Sequence, residues 1–516
     1  MVQRWWKWVG ILCLIGCRSV PPTLPDDALR IGVFSPYTSL DPIYARDQIS
    51  VWIVQQLFMG LVSYDSSLRP VPAAASRWEV SPDGRLYRFY LQSNLHYAGR
   101  PNRRLQAQDV LYSWHRLAHP SWASPGTYLF RGIIKGWTAY QEGQAPKISG
   151  LRALSDSIVE VELEAPYALF LHLLTLPYAA IVLPEVAESL GRSFTRIPVG
   201  LGPFFLAYQE EGRLLVLKRD TGKVRKLVFR WYPNRLWAWI ALQRGEIDAF
   251  EGTDRALEYL LRRDSLWCRS IQRLSIPHFG TEYLGMDTRP SSLFGDAEIR
   301  RALRALIWRL PLLEVLQING TPARTFIPPP LLAQVPKDTL SFSPTALEKL
   351  RQQPLILYAS PAFRELCEYL QVSLARQGIT LQVEYILGAS LRERISKGDI
   401  QLWKASWLAD VPDGENFLIL FESAQCAPAG PNTTRFTHPL MDSLVMKSRR
   451  TSSEAIRRTL YTQAESLLLA TAPVIPLYHG HGVWLVSRRV RHFPQSPLPT
   501  WLPLTRVQVE TSLPMN

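Results

Sequence analysis

At 516 residues, with 47% hydrophobic and 11% aromatic side chains, the chain has a globular composition, not that of a disordered one. It is too long for one simple core, so two or three lobes are expected. The formal charge of +14 comes from lysines and arginines scattered without a long block or a nucleic-acid motif, which excludes nucleic-acid binding and leaves mild attraction to anionic lipid or envelope polymers.

In chain order, Arg4 and Lys7 precede a short apolar run, Trp8 to Ile15. Leu14-Ile15-Gly16-Cys17 then resembles a lipobox, in which a small residue admits the peptidase and the Cys17 thiol takes a diacylglycerol. The alternative is an ordinary signal peptide, or a signal anchor, with a stray cysteine. The run falls far short of the roughly 20 residues that span a bilayer, which disfavours a permanent anchor. Residues 1–17 read as this leader and 18–28 as a proline-bearing tether. Arg18 leaves the choice of membrane open. No later stretch is long and apolar enough to cross a membrane.

Leu29 to Phe34 alternates as a strand, and Asp47 is placed to cap a helix through Leu57, with Gly60 as its stop. Leu86 to Leu91 and Val159 to Leu163 read as half-buried strands. Arg213 to Lys218 and Lys226 to Trp231 look like a strand pair leading into a helix over Trp237 to Arg244. Asp296 caps an amphipathic helix whose Ile299, Ala302, Leu303, Leu306 and Ile307 share one face, with Arg300, Arg301 and Arg304 opposite. Leu355 to Tyr358, a helix from Ala362 to Arg376 and a return at Ile379 to Tyr385 form a strand–helix–strand crossover, the mark of a parallel sheet. A last helix runs from Ser453 to Ala470.

Beyond Cys13 and Cys17 the body holds Cys268, Cys367 and Cys426. Cys367 shares a helical face with Phe363, Leu366 and Leu370 and reads as core, while a Cys268–Cys426 disulfide is open outside the cytoplasm. His115 and His119 stand at i, i+4 without a third ligand, and His479-Gly480-His481 is no stronger. No GxSxG, HExxH or phosphate-loop pattern occurs. No catalytic residue, metal or cofactor is expected.

The ordered motifs carry a resemblance. Leu40-Asp41-Pro42, Gln56 to Val62, Ser76 to Gly84, Tyr87-Arg88-Phe89, Ala107-Gln108-Asp109-Val110, Pro198 to Phe204, Arg244 to Asp248 and Trp403 to Asp410 together resemble the extracellular solute-binding proteins of family 5, the oligopeptide- and dipeptide-binding group of ABC importers. The likeness runs from about Arg30 to Arg488. It implies an α/β fold of the periplasmic-binding-protein type: two main lobes around a ligand cleft with an additional α+β subdomain (type II, cluster C). The expected division is 29–62, 185–280 and 478–516 in lobe I, 63–184 in the subdomain and 281–477 in lobe II. The departures are Leu201 for the usual Thr, Asp287 for Asn, Trp308 for Asp, and Gly280 and Leu408 where some relatives carry a cysteine pair.

The resemblance also implies function: a short peptide captured in the cleft, delivery to membrane-embedded ABC permease subunits, attachment to the envelope through the lipid on Cys17, and a monomeric protein. Trp403 to Asp410 reads as a strand running into a loop. Such a strand offers main-chain groups to an extended ligand by β-augmentation, with Ala405 and Ser406 on its course and Trp403 and Trp407 walling a side-chain pocket. Asp410 matches the position where relatives set a carboxylate against the peptide's α-ammonium; the plain reading of it is a solvated turn aspartate. Tyr37 and Tyr283 are further cleft candidates, each equally readable as packed core. Two other functions stay open: a sensory or structural envelope lipoprotein of the same fold, and a binder of a nickel complex, haem or sugar.

Overall fold

The computed structural model describes residues 27–263, 265–308, 310–338 and 341–510. Cys17, the tether up to residue 26 and Arg309 lie outside them.

A twelve-stranded mixed sheet forms the backbone of both lobes. Ala28–Val33 is buried along its whole length because it pairs in parallel with Lys226–Trp231 on one side and Ala249–Glu251 on the other. Its one charged residue, Arg30, is matched by Asp248, at 2.8 and 2.9 Å. Phe205–Glu210 and Leu214–Lys218 extend this half by antiparallel pairing. The second half carries Gly280–Met286, Leu402–Leu408, Leu355–Ala359 and Leu381–Tyr385, the last two parallel as the crossover pattern requires. Gly378 turns that crossover with φ of +79°.

The halves are joined by the 14-residue strand Val474–Ser487. Its later residues pair with Ala249–Glu251 and Ile271–Pro277, its earlier ones with Gly280–Met286. Ile271–Pro277 and Gly280–Met286 follow each other closely in the chain, so two segments pass from lobe to lobe, the layout of a hinge. The additional α+β subdomain is a separate four-stranded antiparallel sheet, in the order Ala75–Val80, Leu86–Leu91, Ile158–Glu162 and Leu151–Ser155, covered by helix Ala107–Ala118.

The sequence motifs turn out to be scaffold. Asp41 is fully buried and grips Arg116 with two bonds, 2.9 and 2.6 Å, tying the opening segment to the subdomain helix. Asp109 receives the hydroxyl of Tyr97 at 3.0 Å and the Arg103 guanidinium at 2.6 Å. Gly202 donates its N–H to the Leu57 carbonyl at 2.9 Å, and any Cβ there would collide with that backbone. The Gln48–Leu57 helix starts under the Asp47 cap but ends at Phe58, so Gly60 is not its stop; Gly60 instead lets the chain press against the Leu174 carbonyl.

Other expectations need correction. Arg300 and Arg304 do not face solvent: they are 5% and 2% exposed. They donate to the Thr471 and Leu469 carbonyls, at 2.9 and 2.5 Å, in the last turn of helix Glu454–Thr471. Those carbonyls have no partner within their own helix, and a cation at a helix C-terminus supplies one. Cys268 is exposed, Cys426 half-buried, and both are free thiols, so no disulfide joins them; Cys367 is core. His115 is satisfied locally, bonded to the Leu111 carbonyl at 2.7 Å and to the Ile148 N–H at 3.0 Å.

Candidate ligand-binding site

Strand Leu402–Leu408 lies antiparallel to Gly280–Met286, in the register Leu408 to Gly280 through Leu402 to Met286. Alternation puts Trp403, Ala405 and Trp407 on one face and Lys404, Ser406 and Leu408 on the other. Bonds from Ala409 N–H to Phe279 O (2.8 Å) and from Asp287 N–H to Gln401 O (2.9 Å) bracket the ladder. Bonded positions alternate in such a pair, so Ser406 and Leu408 turn their backbone groups away from Gly280–Met286. On that outer side Leu355–Ala359 reaches only as far as a Tyr358–Trp403 pairing. The Ser406–Leu408 edge therefore stands past its neighbour's end, and both side chains are exposed.

The two tryptophans part company. Trp403 is 1% exposed, packed with Leu391, Ile395 and Ile400, and occupies the space that a Cβ on Gly285 would need. It is core and walls no pocket, because helix Gly388–Lys397 covers that end of the strand. Trp403→Ala should lower the stability measured by urea unfolding by about 3–5 kcal/mol, the cost of a large buried cavity. Trp407 lies further along, half-buried, its indole N–H shared between the backbone and side-chain oxygens of Asn416 at 3.0 and 3.2 Å.

Lys404 is buried as well. Its ammonium pairs with Glu282, which also accepts the Ser406 hydroxyl, and it lies 3.9 Å from the Phe363 ring centre. Tyr283 is buried edge-on against Phe326 and belongs to the core. Tyr37 is half-buried, leans on Trp231 and donates its hydroxyl to Gln209 at 2.9 Å. Neither meets Asp410. Gly280 and Leu408 face each other across the ladder, and Leu408 fills the room a larger residue at 280 would take.

Asp410 differs from every acid around it. Asp413 is held by Arg457 and the Tyr461 hydroxyl; Glu415 by Arg449 at 2.7 Å and the Tyr167 hydroxyl at 2.7 Å; Glu422 by Arg449 at 2.8 Å twice. The Asp410 carboxylate has no cation and no hydrogen-bond donor among the described residues. The residue is exposed to solvent, yet protein groups crowd around it closely enough to hinder its hydration. Burial alone pushes its pKa up to about 6.

Sequence reasoning missed the groups that face it. Tyr128 and Tyr178 project from the subdomain, and Tyr64 from the strand Val62–Tyr64 at its base. Burial chiefly, then the Asp410 charge, raises the pKa values of Tyr128 and Tyr178, the latter to about 12. Tyr64 rises for the same first cause, with Asp413 and Asp410 adding to it. Arg46 acts on Tyr178 in the opposite sense. Tyr128 is 60% exposed even though protein groups crowd its hydroxyl, and it feels the charges of Asp410 and Tyr178. A cavity of about 370 Å³ lies elsewhere between the lobes, over the hinge strand, bordered by Thr253, Glu258, Asn319, Glu365 and Tyr478.

Comparison with known proteins decides what this arrangement belongs to. A family model described as bacterial extracellular solute-binding proteins, family 5 Middle, matches residues 69–428. The chain is a family 5 solute-binding protein. Proteins of this family bind solutes and are not enzymes. Curated relatives include the probable di/tripeptide-binding protein 5 of Pseudomonas aeruginosa, 28% identical over 86% of this chain and 88% of its own. Heme-binding protein A of Haemophilus influenzae is 25% identical over 86% and 85%. Among solved structures, the Helicobacter pylori ABC transporter-associated periplasmic binding protein DppA, in complex with peptide STSA, matches with a TM-score of 0.77. It covers 94% of this chain and 98% of that one at 21% identity, a likeness of fold. No helix among the described residues of this family 5 protein is long and apolar enough to cross a membrane.

Proposed function

We propose that the protein captures short peptides in its inter-lobe cleft and hands them to ABC permease subunits in the membrane. The observation that carries this reading is Asp410, one unpaired carboxylate beside three that are fully paired. An uncompensated charge in a cleft is costly, and a ligand ammonium removes the cost while forming a charge-assisted bond. The free edge at Ser406–Leu408 suits an extended backbone, since main-chain bonds are indifferent to side chains. Trp407, Tyr64, Tyr128 and Tyr178 supply apolar walls with polar tips.

Residues 29–62, 185–280 and 478–516 would act as lobe I and 281–477 as lobe II, closing about the hinge, with 63–184 riding on lobe I. Closure shifts only as far as the ligand binds the closed form better. A lipid on Cys17 would keep the protein at the envelope surface near its permease.

A second reading, haem or another non-peptide solute, is favoured by the haem-binding relative. Mass spectrometry of ligands released from the purified, denatured protein separates the two. Short peptides are the expected result; recovery of haem, a metal complex or a glycan overturns the proposal.

A further inference from the structure

Six cations of the first sheet half collect at one end of its strands. Ala28–Val33, Lys226–Trp231 and Ala249–Glu251 run parallel, so their first residues share that end. Leu214–Lys218 and Val474–Ser487 run the other way and finish there, and Ile271–Pro277 starts there beside Ser487. Hydrogen bonds knit the intervening turns together. Arg225 N–H donates to Asp27 O at 2.7 Å, the Arg30 guanidinium to Gly245 O at 2.7 Å, and Arg488 to the Cys268 and Ser270 carbonyls at 2.8 Å each.

Lys218, Lys223, Arg225, Lys226, Arg269 and Arg488 lie on this end, five of them exposed and Lys226 half-buried. None makes an ion pair among the described residues. Most acids of the same turns are already taken: Asp248 by Arg30 and Arg489, Glu246 by Arg230, and Glu510 by Arg491. Asp27 and Asp220 alone are left to offset the six. At the opposite strand ends the charges are mixed, with Asp47, Glu251 and Asp254 beside Arg46, Arg235 and Arg255.

The chain enters the sheet at this basic end, where Asp27 O receives both the Arg225 and the Lys226 N–H. Cys17 stands ten residues before Asp27. Ten residues reach at most about 35 Å, however they run. A chain of 516 residues folds to a body roughly 60 Å across. A lipid on Cys17 therefore keeps the basic end within one tether length of the bilayer, with the far side of the molecule out of reach. At that range an anionic leaflet attracts each nearby lysine or arginine by about fivefold. A single acyl chain holds a protein only marginally, and a basic face supplies the second signal that durable attachment needs.

We propose that this end of the sheet is a docking surface for anionic phospholipid headgroups. The proposal rests on the lipid reading of Cys17 for its choice of partner, and adds an orientation on the membrane to it.

The test is flotation of the full-length protein with vesicles of phosphatidylcholine alone and of phosphatidylcholine mixed with phosphatidylglycerol. The N-terminal lipid inserts into both kinds, so their difference reads the face. At low salt the anionic vesicles should bind about ten- to a hundredfold more tightly, and high salt should erase the margin. The variant Lys223→Glu, Arg225→Glu, Arg269→Glu should lose it. A control with the same change of net charge in the other lobe, Arg376→Glu, Arg392→Glu, Lys447→Glu, should keep it. All six positions are exposed, so both variants should melt like the parent. Equal binding to the two kinds of vesicle, or equal loss in the two triple variants, refutes the docking surface. If soluble polyglutamate at matched charge strips the protein from anionic vesicles, the face takes an anionic polymer and the membrane assignment falls. Intact mass reads the lipid on Cys17 separately: a protein that lacks it but keeps the position-dependent margin overturns the anchor reading alone.

Discussion

Asp410→Asn is expected to weaken peptide binding on the order of a hundredfold or more, while the ligand-free protein becomes slightly more stable. The first effect follows from losing one member of a buried, hydrogen-bonded charge pair, typically 2–5 kcal/mol. The second follows from the absence of any cation on the carboxylate before the ligand arrives. Its folded-state pKa of about 6 lies above the ordinary 3.8. Between those values the folded protein holds a proton that the unfolded chain has released, so stability of the ligand-free form falls as pH rises through that window and levels above it. A shift of about two units corresponds to roughly 3 kcal/mol, but water in the open cleft screens the charge, and about 1 kcal/mol is the reasonable size.

The same linkage shapes binding. A ligand ammonium pulls the Asp410 pKa back down, so binding releases a proton and affinity should climb from pH 5 to 7, by at most tenfold per unit. Above about pH 8 it should fall again as the peptide's own α-amino group deprotonates. N-acetylated peptides should bind as weakly to the parent as free peptides bind to the Asp410→Asn variant. Calorimetry across pH on both proteins gives the answer. An acid limb that persists unchanged in the variant would mean that another group pairs with the ligand.

Much of the fold was legible from local chemistry. The caps at Asp47 and Asp296, the apolar faces of the helices they start, and the crossover turned at Gly378 all depend on near neighbours. What escaped depends on partners far away in the chain. Arg300 and Arg304 look like the solvated face of an amphipathic helix until the last turn of Glu454–Thr471 is seen lying against them. Trp403 and Trp407 share a strand face and look equivalent, but one end of that strand lies under helix Gly388–Lys397 and the other runs free. The cleft shows the same limit. Asp410, Asp413 and Glu415 are equal as residue types within six positions. Only Arg449, Arg457, Tyr461 and Tyr167, from distant segments, make two of them scaffold. Tyr64, Tyr128 and Tyr178 carry no local signal at all, because nothing in their neighbours says that they converge on residue 410.

Arg449→Ala should cost the protein about 3–5 kcal/mol of stability. Its guanidinium serves two carboxylates at once, Glu415 and Glu422, whose side chains are 7% and 15% exposed. Its carbonyl accepts the Ala168 N–H at 2.7 Å, and Tyr167 next door donates to Glu415, so the subdomain is fastened at the same point. Removing the cation leaves two acids without compensation, which is the costly way to break a buried pair. Arg449→Lys should recover only part of the loss, since a single ammonium lacks the fork that spans both acids. The damage should reach the ligand, because Glu415 and Asn416 adjoin, and Asn416 holds both the Trp407 indole and the Asp410 backbone N–H. Hydrogen exchange over residues 410–422 should rise in the variant, and peptide affinity should fall with it. Adding Glu415→Gln and Glu422→Gln to Arg449→Ala separates charge from packing: the triple variant should regain much of the unfolding free energy by removing the stranded acids. Affinity should stay low, because neutral amides relieve the repulsion without restoring the bonds that aim the loop. A triple variant as unstable as Arg449→Ala alone would assign the arginine's role to packing.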